Sequence, residues 1–89
     1  MGTKFPLGQT VITSNAQRIL HPEDVILSMA RHHAGDWGDV NDEDKQLNEQ
    51  GLKDGDRLLS AYTDRNKRKF WIITEADRSA TTVLLPEDY

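Results

Sequence analysis

The run His32-His33-Ala34-Gly35-Asp36-Trp37-Gly38-Asp39 gathers two imidazoles and two carboxylates into eight residues. Neutral imidazole and carboxylate are ligands for zinc and other divalent ions. The spacing matches no recognised ligand pattern, and adjacent helical histidines point about 100° apart. A scaffold role explains every letter instead. Gly35 stops a helix, Gly38 permits a tight turn, and Asp36 and Asp39 bond local amides. Trp37 then plugs the seam between helices and sheet.

Three further clusters carry charge. Arg65-Asn66-Lys67-Arg68-Lys69 places four cations in five residues, with Phe70 and Trp71 directly after them. Cations clamp phosphates and aromatic rings stack on bases, so RNA binding is one reading. A solvated hairpin tip whose lysines discourage strand aggregation is the other. From Asp36 to Glu49, six acids face only Lys45, a local charge of −5. That belt is either a solvated helix face or a docking surface for a basic protein. Glu75 and Asp77 could pair for acid–base work. A local turn through Asp77, Arg78 and Ser79, with Arg78 paired to a nearby acid, explains them more simply. There is no glycine-rich phosphate loop and no nucleophile elbow.

These residues need elements to hold them. Thr10–Thr13 is β-branched and reads as a short strand, with Ser14 or Asn15 capping a helical turn through Ile19. Pro22–His33 reads as a helix, with Pro22 at its first position and Glu23 and Asp24 in its first turn. Helical periodicity puts Val25, Ile26, Met29, Ala30 and His33 on its inner face. Ser28, Arg31 and His32 take the outer face, and Leu27 falls off the stripe. Asn41–Gln50 reads as a further helix ended by Gly51, with Val40 and Leu47 as its apolar purchase. Period-two alternation then marks strands over Arg57–Thr63, Lys69–Glu75 and Thr81–Leu85, joined by turns at Asp64–Lys67 and Ala76–Ala80. Phe70–Ile73 is apolar on both faces and belongs in the middle of the sheet. One sheet face packs on helices. The other needs cover from the N-terminal strand, the arm or another subunit.

The expected fold is α+β: two to three N-terminal helices on a C-terminal three-stranded antiparallel meander, with a short N-terminal strand as an optional addition. One domain is expected over 1–89, with a flexible arm at 1–8, a mainly helical part at 9–51 and the meander at 52–89. The chain has 89 residues, a net charge of −4 and no cysteine. It therefore has no disulfide, thiolate metal site or cysteine nucleophile. No apolar run is long enough to span a bilayer, and residues 1–10 lack a secretory apolar core. The acidity disfavours general nucleic-acid binding and is too dilute for a mimic of DNA.

The run His33–Asp39, with Glu43-Asp44-Lys45, Asn48-Glu49, Arg57–Thr63, Trp71–Ser79 and Thr81–Pro86, resembles a family of small bacterial proteins common on plasmids and other mobile elements. Some members carry a restriction–modification label. No methyl-donor glycine motif is present here, and 89 residues cannot house a methyltransferase domain. The resemblance covers nearly the whole chain. It implies an intracellular bacterial location and supplies no catalytic or binding residue.

The expectation is thus a cytoplasmic, non-enzymatic interaction or regulatory module of a mobile element, with a protein partner, no membrane association, and association with its own copies as a further option. No catalytic residue, metal ligand or cofactor is assigned. The expected contacts are Asp36, Trp37, Asp39, Asp42 and Asp44 on an acidic surface, and Arg65, Lys67, Arg68 and Lys69 on a basic hairpin. An RNA-directed toxin or nuclease-like protein using that hairpin is the alternative.

Overall fold

A computed structural model describes residues 2–89; Met1, the first residue of the expected arm, lies outside the described residues. The chain runs β1 (Gln9–Ile12), α1 (Ser14–Ile19), α2 (Pro22–His33), α3 (Asp42–Asp54), β2 (Leu58–Thr63), β3 (Lys69–Thr74) and β4 (Ala80–Leu84), then a 3-10 turn over Pro86–Asp88. Three helices pack on a mixed four-stranded sheet of order β1-β4-β3-β2. The expected meander forms β2, β3 and β4 with antiparallel pairing, and β3 lies inside the sheet. The optional strand is real: β1 adds to β4 in parallel, with Gln9 opposite Ala80 and Ile12 opposite Val83. No helix among the described residues is long and apolar enough to cross a membrane.

Strand alternation and register sort the side chains into two faces. Leu58, Ser60, Tyr62, Phe70, Ile72, Thr74, Thr81 and Val83 share the helical face. Tyr62, Phe70, Ile72 and Val83 form the main core with Ala16, Leu20 and Leu85, and Ile12, Ile19, Val25 and Met29 pack against it. Phe5, Trp37 and Leu58 form a second core beside Leu7, Val40 and Leu52. The opposite face carries Leu59, Ala61, Trp71, Ile73 and Leu84. Part of its cover comes from Tyr89, whose ring meets Trp71 edge-on at 5.6 Å while its hydroxyl accepts a bond from Arg57 at 2.9 Å.

Four local expectations change. Residues 2–8 do not hang free as an arm: Phe5 is buried, and the Lys4 amide donates to the His33 carbonyl at 2.9 Å. The cap of α1 is Thr13, whose hydroxyl accepts from the Ala16 amide at 3.1 Å. Helix α2 is rotated, with Ser28 and His32 buried while Ile26 and Leu27 are 69% and 62% exposed. The reason is a set of sheet hydroxyls that bond His32, which apolar periodicity cannot see. Helix α3 does not stop at Gly51 but continues to Asp54, where Gly55 at φ 75 forms the left-handed cap. Gly51 instead faces Leu58, where a Cβ would come within 3.1 Å of the Leu58 side chain. Leu47 is exposed, and Asn48, Gly51 and Leu52 make the contact with the sheet.

The expected turns form, each on an acid. Asp64 is buried, and its carboxylate accepts from the amides of His21, Asn66 and Arg68 at 3.1, 2.9 and 2.9 Å. Burial opposes its ionisation, but these amides outweigh it and hold the carboxyl below the usual range. Arg78 does not pair with an acid. Its guanidinium donates to the carbonyls of Gly51, Asp56, Glu75 and Ala76, closing the end of α3 against the β3–β4 turn. Asp64→Ala orphans three amides and is expected to lower stability by about 2 kcal/mol or more, read from the urea midpoint. A midpoint unchanged from the parent would contradict this account of the hairpin.

Candidate functional site

The chemically capable residue at the centre of the molecule is His32. It is fully buried, with Phe5 and Trp37 meeting its ring edge-on at 5.2 and 5.7 Å. Nδ1 bonds Ser60 Oγ, and Nε2 bonds Thr74 Oγ1 at 2.8 Å. Thr74 Oγ1 bonds Thr81 Oγ1 at 2.7 Å, and Thr81 donates to the Leu7 carbonyl at 2.7 Å. A carbonyl can only accept, so the direction of the whole chain follows from its last link. Thr81 spends its proton on Leu7, Thr74 donates to Thr81, and Nε2–H donates to Thr74. Nδ1 is left as the acceptor for the Ser60 hydroxyl. The chain fixes the proton on Nε2, and burial, which disfavours the charged ring, leaves Nδ1 bare. Burial pushes its pKa down to about 4, with the neighbouring His33 adding to the effect.

A serine donating to an imidazole is the pairing that activates a nucleophile. Here both partners have zero exposure, so no substrate reaches them. The other candidates in the same run go elsewhere. Asp36 pairs with Arg31 at 2.8 Å, which holds its carboxyl below the usual range, and Asp39 accepts from the Thr63 hydroxyl at 3.1 Å. His32, His33, Asp36 and Asp39 do not converge. Among the described residues no three His, Asp or Glu side chains are grouped as a cation site would need.

The bend after α2 has a different task. The Ala61 amide donates to the Trp37 carbonyl at 3.2 Å, and the Asp39 amide donates to the Ala61 carbonyl at 2.7 Å. This short parallel bridge occupies the outer edge of β2. Next to it, the Asn48 side-chain amide donates to the Leu59 carbonyl at 2.7 Å and accepts from the Leu59 amide at 3.0 Å. One carboxamide thus stands in for a missing strand. Exposed strand edges invite pairing with other chains, and β2 is covered twice over.

The expected acidic contacts divide. Trp37 is withdrawn as a surface contact: it is 4% exposed, and its indole N–H donates to Glu49 at 2.8 Å. Asp36 is exposed but ion-paired. Asp39, Asp42 and Asp44 stay exposed, the last two in the first turn of α3.

The basic hairpin divides in the same way. Arg65 reaches back to the start of α2, bonding Glu23 and Asp24 at 3.0 Å each. That contact, with the Arg65 amide, draws the Asp24 pKa down to about 2. Lys67, Arg68 and Lys69 are exposed and line a hollow of about 410 Å³ with Ile19 and Leu85. Phe70 is in the core and offers no ring for stacking, while Trp71 faces Tyr89.

The opposite edge of the sheet is bare. Gln9 and Thr13 donate their amides to Ser79 and Val83 of the β4 segment, so alternation turns the amides and carbonyls of Thr10 and Ile12 outward. No backbone or side-chain bond covers them among the described residues. Val11 is 43% exposed on this strand, and Ile26 and Leu27 stand out from the neighbouring helix. Ile12, Val25 and Ile26 share a hollow of about 280 Å³ that joins the two.

Sequence reasoning missed the bonding roles of His32, Asn48 and Arg78, and it missed this edge. The stripe Asn48, Gly51, Leu52, Gly55 at helical spacing was a readable signal for the inner face of α3. His32 bonds Ser60 and Thr74, and Arg78 bonds Gly51 and Asp56, all far along the chain, which left no local signal.

Two predictions follow from this geometry. His32 is neutral when folded, so the unfolded chain takes up its proton first. The stability this contributes is complete above pH 6.5 and falls as pH drops toward 4, by up to about 3 kcal/mol. Tyr62, driven up to about 12 by burial, gives the opposite limb: stability is complete below pH 10 and falls as pH rises toward 12. Denaturant titrations from pH 4 to 11 check both limbs, and His32→Gln should flatten the acid one. Gly38 sits at φ +74, and a Cβ there would come within 2.1 Å of the Ala61 carbonyl oxygen. Gly38→Ala should cost about 3 kcal/mol and speed exchange of the Ala61 amide. Comparison with family models, curated proteins and solved structures finds no match to this chain.

Proposed function

We propose that this protein is a non-enzymatic interaction module that binds a protein partner through the open edge of β1 and the apolar ledge of α2. The reading rests on one contrast. The β2 edge is covered by a backbone bridge and by the Asn48 carboxamide, whereas the β1 edge has no cover among the described residues and lies near exposed Val11 and Ile26. An added strand supplies backbone bonds there, and the ledge supplies apolar burial. The one serine–histidine pair described above is sealed in the core, which argues against hydrolytic chemistry there. The net charge of −4 works against a nucleic-acid partner. The resemblance of the His33–Asp39 run supports an accessory or regulatory role for a mobile element, carried out in the bacterial cytoplasm.

Site-specific photo-crosslinking in the host cell tests the reading. A photoreactive residue at position 26 should give a discrete adduct, while one at Lys53, exposed at the end of α3, should not. No discrete adduct from position 26, or equal yields from both positions, would overturn it.

A further inference from the structure

We infer that the occupant of the β1 edge is a second copy of this chain, whose β1 pairs antiparallel with the first across a two-fold axis. The inference rests on the interaction reading above and names its partner.

The outward-facing groups of Thr10 and Ile12 are self-complementary. With Val11 opposite Val11 on the axis, Thr10 of each copy faces Ile12 of the other. Both are outward-pointing residues, so each such pair exchanges two backbone bonds and the joint contains four. No other register near this one places both outward residues of both strands against each other. The side chains agree with it. The Val11 side chains, 43% exposed on the face away from the helices, meet across the axis in the closely spaced type of pair. On the helical face, Ile12 of the second copy lies opposite Thr10, beside a hollow of about 190 Å³ walled by Thr10, Ile12, Val25 and Met29.

Charge points to the same edge. Two copies of a −4 chain repel, and the repulsion is concentrated where Asp39, Asp42, Glu43 and Asp44 gather beyond β2. Strand order puts β1 at the far side of the sheet from that belt. With strands about 4.8 Å apart, joining the sheets at β1 sets the two β2 edges roughly 34 Å from each other. That exceeds the screening length of about 10 Å at 0.1 M salt several-fold. The strand Gln9-Thr10-Val11-Ile12 has no charged residue and no proline, the usual means by which an edge refuses its own kind.

Sedimentation equilibrium of the full chain between 1 and 200 µM should show a species of twice 10.1 kDa, with Thr10 and Ile12 amides gaining hydrogen-exchange protection as concentration rises. Thr10→Pro removes an outward amide that the monomer does not use, so it should keep the fold and weaken dimerisation at least tenfold. Val11→Lys and Val11→Glu should each give monomers, because like charges meet on the axis. An equimolar mixture of the two should restore the dimer mass. A monomer throughout the concentration range, or a dimer that survives Val11→Lys in a folded chain, would overturn the inference. A monomer that still gives the position-26 adduct with another polypeptide would sink self-pairing alone. Loss of that adduct would sink the interaction reading as well.

Discussion

The buried imidazole of His32 constrains more of this molecule than any other group. Its two nitrogens tie α2 to β2 and β3, and the hydroxyls beyond them carry the connection through β4 to the carbonyl of Leu7. Helix α2 has one rotation that satisfies these bonds. Turning it to bury Ile26 would leave Ser60 and Thr74 without their histidine and open a void between Phe5 and Trp37. A buried hydroxyl left unpaired costs about 1–3 kcal/mol, and a void the size of a ring costs a similar amount or more. Covering Ile26 returns only about 1.5–3 kcal/mol. The imidazole wins, and the exposed apolar ledge of α2 is the consequence. The polar core and the candidate contact surface are thus two sides of a single choice of helix rotation.

The bend after α2, for all its imidazoles and carboxylates, acts through its backbone. Gly38 lets the chain approach Ala61, the Trp37 carbonyl accepts from the Ala61 amide, and Tyr62 donates its hydroxyl proton to the Asp36 carbonyl. Arg31 lies 4.8 Å from the Tyr62 ring centroid while it holds Asp36. These residues close one end of the sheet. The asymmetry between the two edges therefore comes from a specific set of residues, Trp37 to Asp39 and Asn48, that all serve β2.

How much of this the chain announced in advance depended on the range of each interaction. The helices, the strands and the central place of β3 were legible, because period and turn chemistry are local properties. The acidic first turns and the Asp64 hairpin were legible for the same reason. The inner face of α2 was misread because Ser28 and His32 look polar in sequence and the partners of His32 lie 28 and 42 positions away. The supposed arm was misread because Phe5 finds its neighbours only in three dimensions. At the candidate site, the scaffold role of Trp37 was legible, whereas the expectation that it is a surface contact fails because its ring is buried. Arg65 looked available until the structure set it on Glu23 and Asp24, more than forty positions earlier.

The parallel pairing of β1 with β4 joins residues seventy-one positions apart, as Gln9 and Ala80 show. Contacts of such long separation close late, because loop entropy must be met before they give anything back. During synthesis at roughly 5–20 residues per second, β1 therefore waits several seconds for the strand that will shelter its inner side. Throughout that interval the inner side of β1 has no partner strand. The sheet therefore closes last at β1, and its two distant segments, Gln9–Ile12 and Ala80–Leu84, must both be clear of the ribosome before the molecule is complete.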